Sequence, residues 1–435
     1  MRAVLVWCAV SCTACLVGVS SPVAAQTADV QALRQEIDQL RSELENLQRL
    51  YGERLAALEA RLGAVADVPG APPRQEPGQP PVAEVPPGAA GAGGPAGALP
   101  LYGAASAAGK IFNPDIAVIG DFLGAAGPND VSPTPPLELH EAEASFQAIV
   151  DPYARGDFFF AYGSEGVEIE EGFVTFPTVP GGLLVKVGKT RAAFGKVNMF
   201  HNHQLPWTDR PLVTTNLVGG EEGISDAGIS AARLIPNPWI FLEATGEVYR
   251  GDSALFAART RSDLAYVGHL RGYHDFTESA NIDFGASYAR GLNTAGLAGD
   301  IEPGRFVTTL WGVDATVRWR PLQRAIYRGF LGRSEVIWSR RAQPDGLQPS
   351  VGYYASGDYQ FARRWFAGFR YDRSDRAEDA LLHDSGQSVT LTFWPSEFNQ
   401  IRGQYRRTKY SEGSTANELL IQFQFSIGAH GAHPF

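Results

Sequence analysis

From about residue 113 onward the chain is written in short segments whose side chains alternate between two characters. Residues 311–320 are the plainest case: Trp311, Val313, Ala315, Val317 and Trp319 fall on one face, and Asp314, Thr316, Arg318 and Arg320 on the other. Residues 418–425 repeat the pattern, with Leu419, Ile421, Phe423 and Phe425 opposite Glu418, Gln422 and Gln424. A period of two belongs to a strand that separates two environments. An aromatic, apolar face backed by a charged one suits a wall between lipid and a watery lumen. No stretch beyond residue 25 reaches the ~18 consecutive apolar residues that a membrane-spanning helix needs.

Sixteen such segments are predicted, beginning with 113–124 and 137–150 and ending with 399–410 and 417–427. The connections carry as much information as the strands. Every second one is short, as at Asp151-Pro152, Pro236-Asn237-Pro238 and Ala362-Arg363. The intervening ones are mostly long: 125–136, 190–225, 250–261, 292–304, 340–349 and 375–384, with 164–166 as the clear departure. Short turns at one end and long loops at the other are the habit of outer-membrane barrels. A soluble β-sandwich is the competing fold, but it has no need of that alternation or of so many outward aromatics. The fold expected is therefore all-β, a transmembrane antiparallel barrel of about sixteen strands over residues 113–435. Such a barrel is wide enough to hold water. Only 19% of residues are charged, against ~25% in average soluble proteins. The net charge of −10 argues against nucleic acid as a partner.

The preceding residues divide into three parts. Arg2, the apolar run Ala3 to Val19 and the small residues Val23-Ala24-Ala25 predict a secretory signal over 1–25, in preference to a membrane anchor or a lipoprotein site at Cys12. Cys8, Cys12 and Cys15 all lie inside it, so the mature chain is expected to lack disulfides, thiol chemistry and Cys-type zinc sites. Over 26–67, Leu33, Ile37, Leu40, Leu44 and Leu47 sit on a heptad seam that continues to Val65 with one stutter at Tyr51 to Leu55. A lone helix has nothing to bury this stripe against. It therefore predicts a short periplasmic α-helical coiled coil that self-associates or packs elsewhere on the chain. Residues 68–112, dominated by Pro, Gly and Ala, read as a tether.

The longest connection, 190–225, is the candidate functional segment. A loop of this length without structure of its own calls for a use, and inside a barrel it can fold inward and narrow the pore. Lys189, Arg191, Lys196 and Arg210 would then attract anions, and Asp209, Glu221 and Glu222 cations. His201 and His203 alternate, and with a carboxylate they can ligate Zn²⁺ or another divalent ion. The alternative is that they hydrogen-bond the inner wall and hold the loop. The stretch from Gly188 to Lys196 lacks the spacing of a phosphate-binding P-loop. Charge is uneven: residues 113–226 hold 16 acidic and 6 basic side chains, and residues 227–435 hold 21 and 23.

The signal, the coiled coil, the tether and the sixteen strands, together with Gly188-Lys189, Phe194-Gly195, Asn198 and the Gly219-Gly220-Glu221-Glu222-Gly223 stretch, resemble the phosphate-selective porin O/P-like family. They also resemble related uncharacterised Gram-negative outer-membrane barrels, some labelled zinc-regulated outer-membrane receptors. The resemblance implies a protein of the cell outer membrane. Phosphate transport would need an arginine and lysine ladder that the sequence does not place, so that specificity is not carried over. The function expected is a homotrimeric porin-like channel for small solutes or ions, without catalysis or cofactor, and with 190–225 as its constriction. The alternative is an outer-membrane anchor whose coiled coil binds peptidoglycan or a periplasmic partner. A barrel hydrolase is a third class, but none of the eight His residues sits in a recognisable Ser motif.

Overall fold

A computed structural model describes residues 114–163, 166–296 and 305–428. The coiled-coil seam and the tether lie outside these residues. Among the described residues there are sixteen strands. The first eight are β1 (Asp115–Ala126), β2 (Leu137–Asp151), β3 (Ala154–Gly163), β4 (Gly166–Val179), β5 (Leu183–Arg191), β6 (Ser225–Leu234), β7 (Phe241–Tyr249) and β8 (Ala265–Thr277). The second eight are β9 (Ala280–Leu292), β10 (Val307–Trp319), β11 (Gly329–Gln343), β12 (Gly346–Ala362), β13 (Trp365–Asp375), β14 (His383–Ser396), β15 (Asn399–Lys409) and β16 (Thr415–Gly428). Each pairs antiparallel with its neighbours in the chain, and β1 pairs with β16 from Ala117↔Gly428 to Ala126↔Leu419, closing the barrel. Closure leaves no strand edge unpaired. At the seam Gly120 faces Phe425, and a Cβ there would lie 2.4 Å from the Phe425 ring, so glycine makes room for the aromatic.

The two faces fall as the alternation requires. Trp311, Val313, Val317 and Trp319 of β10 are exposed on the outside, while Asp314 and Thr316 are buried within. Trp311 pairs across the sheet with Tyr288 and Trp338, and Trp319 with Phe330. These two aromatic rows stand about 26 Å apart along the strand, enough for the apolar band of a tilted barrel strand.

Short turns gather at one end, where β1 begins and β16 ends. The other end carries the longer loops. The segment 340–349 departs from expectation: it is a hairpin rather than a long loop. Arg340↔Pro349 through Gln343↔Gly346 continue the β11–β12 ladder to a two-residue turn. Its polar sequence looks like a loop, but pairing satisfies both backbones where no lipid selects apolar side chains.

Candidate functional site

The connection between β5 and β6 lies inside the barrel, because its side chains demand burial. Phe194, Val197, Leu205, Trp207, Val213, Leu217, Val218 and Ile224 are all nearly inaccessible. They pack with Tyr249, Leu255, Phe256, Leu310, Ile337 and Tyr354 from the wall and from the β7–β8 connection. On a surface loop this apolar area would remain in water, at a cost of roughly 25 cal/mol per Å². The segment has structure of its own: 3₁₀ turns at Val197–Met199 and Asn202–Gln204, and a short helix, α1, at Leu212–Leu217. Gly195 turns the chain with φ +60°, and a Cβ there would lie 1.7 Å from Glu335 Oε1.

Polar anchors tie the loop to the wall all the way across. Ala193 N donates to Glu247 of β7 at 2.8 Å, and Gly195 N to Ser287 of β9 at 2.9 Å. Arg402 of β15 donates to Leu205 O at 3.0 Å, and Gln404 accepts from Thr208 N at 3.0 Å. Leu212 N, at the start of α1, donates to Asp372 of β13 at 3.3 Å, and Asn216 donates to Asp384 of β14 at 2.8 Å. Asp209 lies between Arg370 of β13 and Arg406 of β15, 2.8 and 3.0 Å away. Burial alone would raise its carboxyl, but the two guanidiniums outweigh that and hold it down at about 2.

The middle of the loop reaches back to β2 and β4. His201 Nδ1 is 2.5 Å from Glu143 Oε2, and its Nε2 is 2.8 Å from Glu171 Oε2. His203 Nδ1 lies 3.6 Å from Glu143 Oε2 and 3.9 Å from Glu141 Oε1. Glu170 pairs through one oxygen with the Arg191 side chain, whose backbone N–H donates to Glu171 at 2.7 Å. All these side chains are buried. Burial would lower both imidazoles, but the carboxylates win: Glu170 and Glu143 raise His201 well above its ordinary value, and Glu143 and Glu141 raise His203. The cluster can hold the loop as a set of ion pairs, and its ligand atoms are close enough to hold a metal ion.

No family model matches the chain. An uncharacterised protein of Aquifex aeolicus (strain VF5) is 30% identical over 335 residues, covering 69% of this chain and 70% of that protein. The chain belongs to that protein's family. Among solved structures it is similar to the anion-selective porin from Comamonas acidovorans, with TM-score 0.52, 10% identity, and coverage of 72% of this chain and 99% of that one. It is similar also to a loop L8 deletion mutant of OmpT, an outer-membrane protein of Vibrio cholerae, with TM-score 0.50, 12% identity, and coverage of 72% and 99%. OprB of Pseudomonas putida has TM-score 0.50 and 12% identity, with coverage of 72% and 94%. The family's fold is thus that of outer-membrane porins in general. The likeness does not single out the phosphate-selective branch that the sequence resembles.

Apart from the histidines, the structure sorts the candidate charges into two groups. Lys189, Arg191, Asp209, Arg210, Glu221 and Glu222 border one cavity of about 910 Å³ at the long-loop end. Within it, Lys189 is partly exposed and pairs with Glu168 at 2.8 Å. Arg191 also donates to the carbonyls of Glu221 and Glu222, at 2.8 and 3.2 Å, which leaves those two carboxylates facing solvent. Arg210 is buried and donates to the carbonyls of Val197 and Phe200 and to Asn202. Burial, and then Arg191 nearby, lower it to about 9. Lys196 stands apart, buried against Asp283 at 3.5 Å, and burial lowers its ammonium.

Sequence reasoning missed the wall partners: Glu141, Glu143, Glu170, Glu171, Arg370 and Arg406. Adjacent Glu170 and Glu171 on one strand should face opposite ways, yet both are buried. A register shift in the β3–β4 ladder, between Phe159↔Glu171 and Phe160↔Ile169, makes Glu170 the extra residue. A similar shift at Asp121↔Glu141 and Phe122↔Leu139 leaves His140 extra in β2. Such bulges re-aim side chains beside functional sites. A pair of glutamates inside an otherwise alternating strand is the signal that could have revealed one.

Proposed function

We propose that this protein is a narrow outer-membrane channel for small solutes or ions, with the inward loop as its constriction. The observation that supports this reading is the loop's path from β5 to the far wall at β13 to β15, with its charges bordering the long-loop cavity. Passage is passive diffusion and involves no chemical step or cofactor. Eight carboxylates and five permanent cations border that cavity, so it holds three more negative than positive charges. In confined water of reduced dielectric such an excess favours cations.

The chain enters β1 at Asp115 and leaves β16 at Gly428, both at the short-turn end. That end faces the periplasm in outer-membrane barrels, so the coiled coil belongs there, where it joins three copies. A second reading, an envelope anchor with a closed barrel, draws support from the burial of Trp207, Phe194 and Val213 within the lumen. Conductance of the purified full-length protein in planar bilayers, with reversal potentials in a salt gradient, separates the two. Deleting residues 199–218 should raise conductance while the barrel stays inserted. Absence of conductance in the wild type, or no change on deletion, would reject the constriction.

A further inference from the structure

We propose that Glu143, His201 and His203 form a binding site for a divalent transition-metal cation, with Glu170 as a further ligand. The site is independent of whether the barrel conducts. One ligand atom from each of Glu143, His201 and His203 lies within 4.8 Å of the others, and Glu141, Glu143 and Glu170 make a second such set sharing Glu143. Zinc bonds of 2.0–2.2 Å place tetrahedral ligands about 3.3 Å apart, so shifts of an ångström or so would close the set around an ion. Imidazole nitrogens with carboxylates suit Zn²⁺ or Co²⁺, whereas all-oxygen sites suit Ca²⁺ and Mg²⁺.

Two further observations point to a ligand. The first is a pair of carboxylate oxygens, Glu170 Oε2 and Glu141 Oε1, that accept no hydrogen bond of normal geometry although their side chains are about nine-tenths buried, His203 Nδ1 being 3.9 Å from Glu141 Oε1. Glu170 Oε2 lies 3.4 Å from His201 Nδ1, on the side where a metal would sit. The second is the arrangement around His201. Its Nε2 is held at 2.8 Å by Glu171, which leaves Nδ1 directed at Glu143 and Glu170. A carboxylate on the remote ring nitrogen is how metal-binding histidines are oriented and made more basic. Four carboxylates, Glu141, Glu143, Glu170 and Glu171, gather around the two imidazoles, and the Arg191 side chain pairs with Glu170 among them, so a dication bound between the histidines has carboxylates on several sides. Glu141 and Glu170 also border the long-loop cavity, which provides an entry path.

The test uses the full chain in detergent micelles, stripped with chelator. Titration with Zn²⁺ should show one equivalent bound per chain, and Co²⁺ should give visible absorption bands of a four- or five-coordinate site with nitrogen ligands. His203→Gln should lower Zn²⁺ affinity at least 100-fold and abolish the Co²⁺ bands. Glu171→Gln should weaken binding about 10- to 100-fold with stoichiometry kept. His383→Gln, at an exposed position on β14, should change nothing. Heat-modifiable gel mobility reports whether each variant is folded. Should His203→Gln fail to fold, the wild-type Zn²⁺ stoichiometry and Co²⁺ spectrum and the Glu171→Gln variant decide. A wild type without Co²⁺ bands, or His203→Gln binding Zn²⁺ as tightly as wild type, would overturn the site and leave the histidines as loop anchors only.

Discussion

Asp209 Oδ2 lies 2.8 Å from Arg370 Nη2, a contact that ties a loop leaving the wall at Arg191 to a strand across the barrel. Arg406 reaches the same oxygen at 3.0 Å. Asp209→Asn removes the anion the two guanidiniums share, but Arg370 keeps Asp372 at 2.7 Å and Arg406 keeps Glu418 at 2.6 Å, so the cost should fall below the ~3–5 kcal/mol of a buried charge left without any partner. The loop should undock while the barrel remains inserted. Higher single-channel conductance with unchanged heat-modifiability is the expected result.

The same residue sets a pH dependence. Asp209 is held at about 2, below its ordinary 3.8. A depressed carboxyl stabilises the folded form fully above the ordinary value, and that stabilisation is lost as pH falls through the depressed one. Loop docking should therefore persist at pH 4 and weaken toward pH 2. Protease accessibility of the loop across that range measures it, and Asp209→Asn should remove this part of the pH response.

Trp207 is 1% exposed, lies edge-on to Tyr354 with ring centroids 5.3 Å apart, and carries the Arg370 guanidinium 4.8 Å from its ring centre. Trp207→Ala should cost about 3–5 kcal/mol of loop packing. Denaturant titration should then show the loop releasing well before the barrel, where the wild type shows a smaller separation.

Reversing Glu221 and Glu222 to Lys should move permeability toward anions, and Lys189→Glu toward cations, since all three border the cavity. The 375–384 loop is unsuitable as a remote control, because Arg376 and Asp384 border that cavity too. Asp345→Lys, at the exposed tip of the β11–β12 hairpin, is the better control. In ~0.15 M salt its charge is screened beyond about 8 Å. Reversal potentials should shift with the first three changes and stay put with the last.

A peptide of residues 26–66 should be helical and oligomeric in solution, and a trimer would match the porin reading. Leu40→Asp places a charge in the seam and should leave the peptide monomeric by sedimentation. A wild-type monomer at high micromolar concentration would reject self-association.

The wall was legible in the sequence because its logic is local. Each strand alternates with a period of two against lipid outside and water within, so Trp311 to Trp319 declare their faces without reference to any distant residue. The inward path of 190–225 was also legible in outline, since a connection of that length calls for a use and a barrel offers an interior. What it touches was not. His201 meets Glu143 across 58 positions of sequence, and Asp209 meets Arg370 across 161. Those pairings exist only once β1 and β16 close the barrel and give the loop an opposite wall. The bulge at Glu170 is equally a product of the ladder, because a one-residue register shift is set by the neighbouring strand's pairing rather than by the side chain it turns inward. The sequence by itself therefore determined the barrel and the candidate segment. Tertiary closure decided which charges are buried together, because burial in a low dielectric selects partners by position in space.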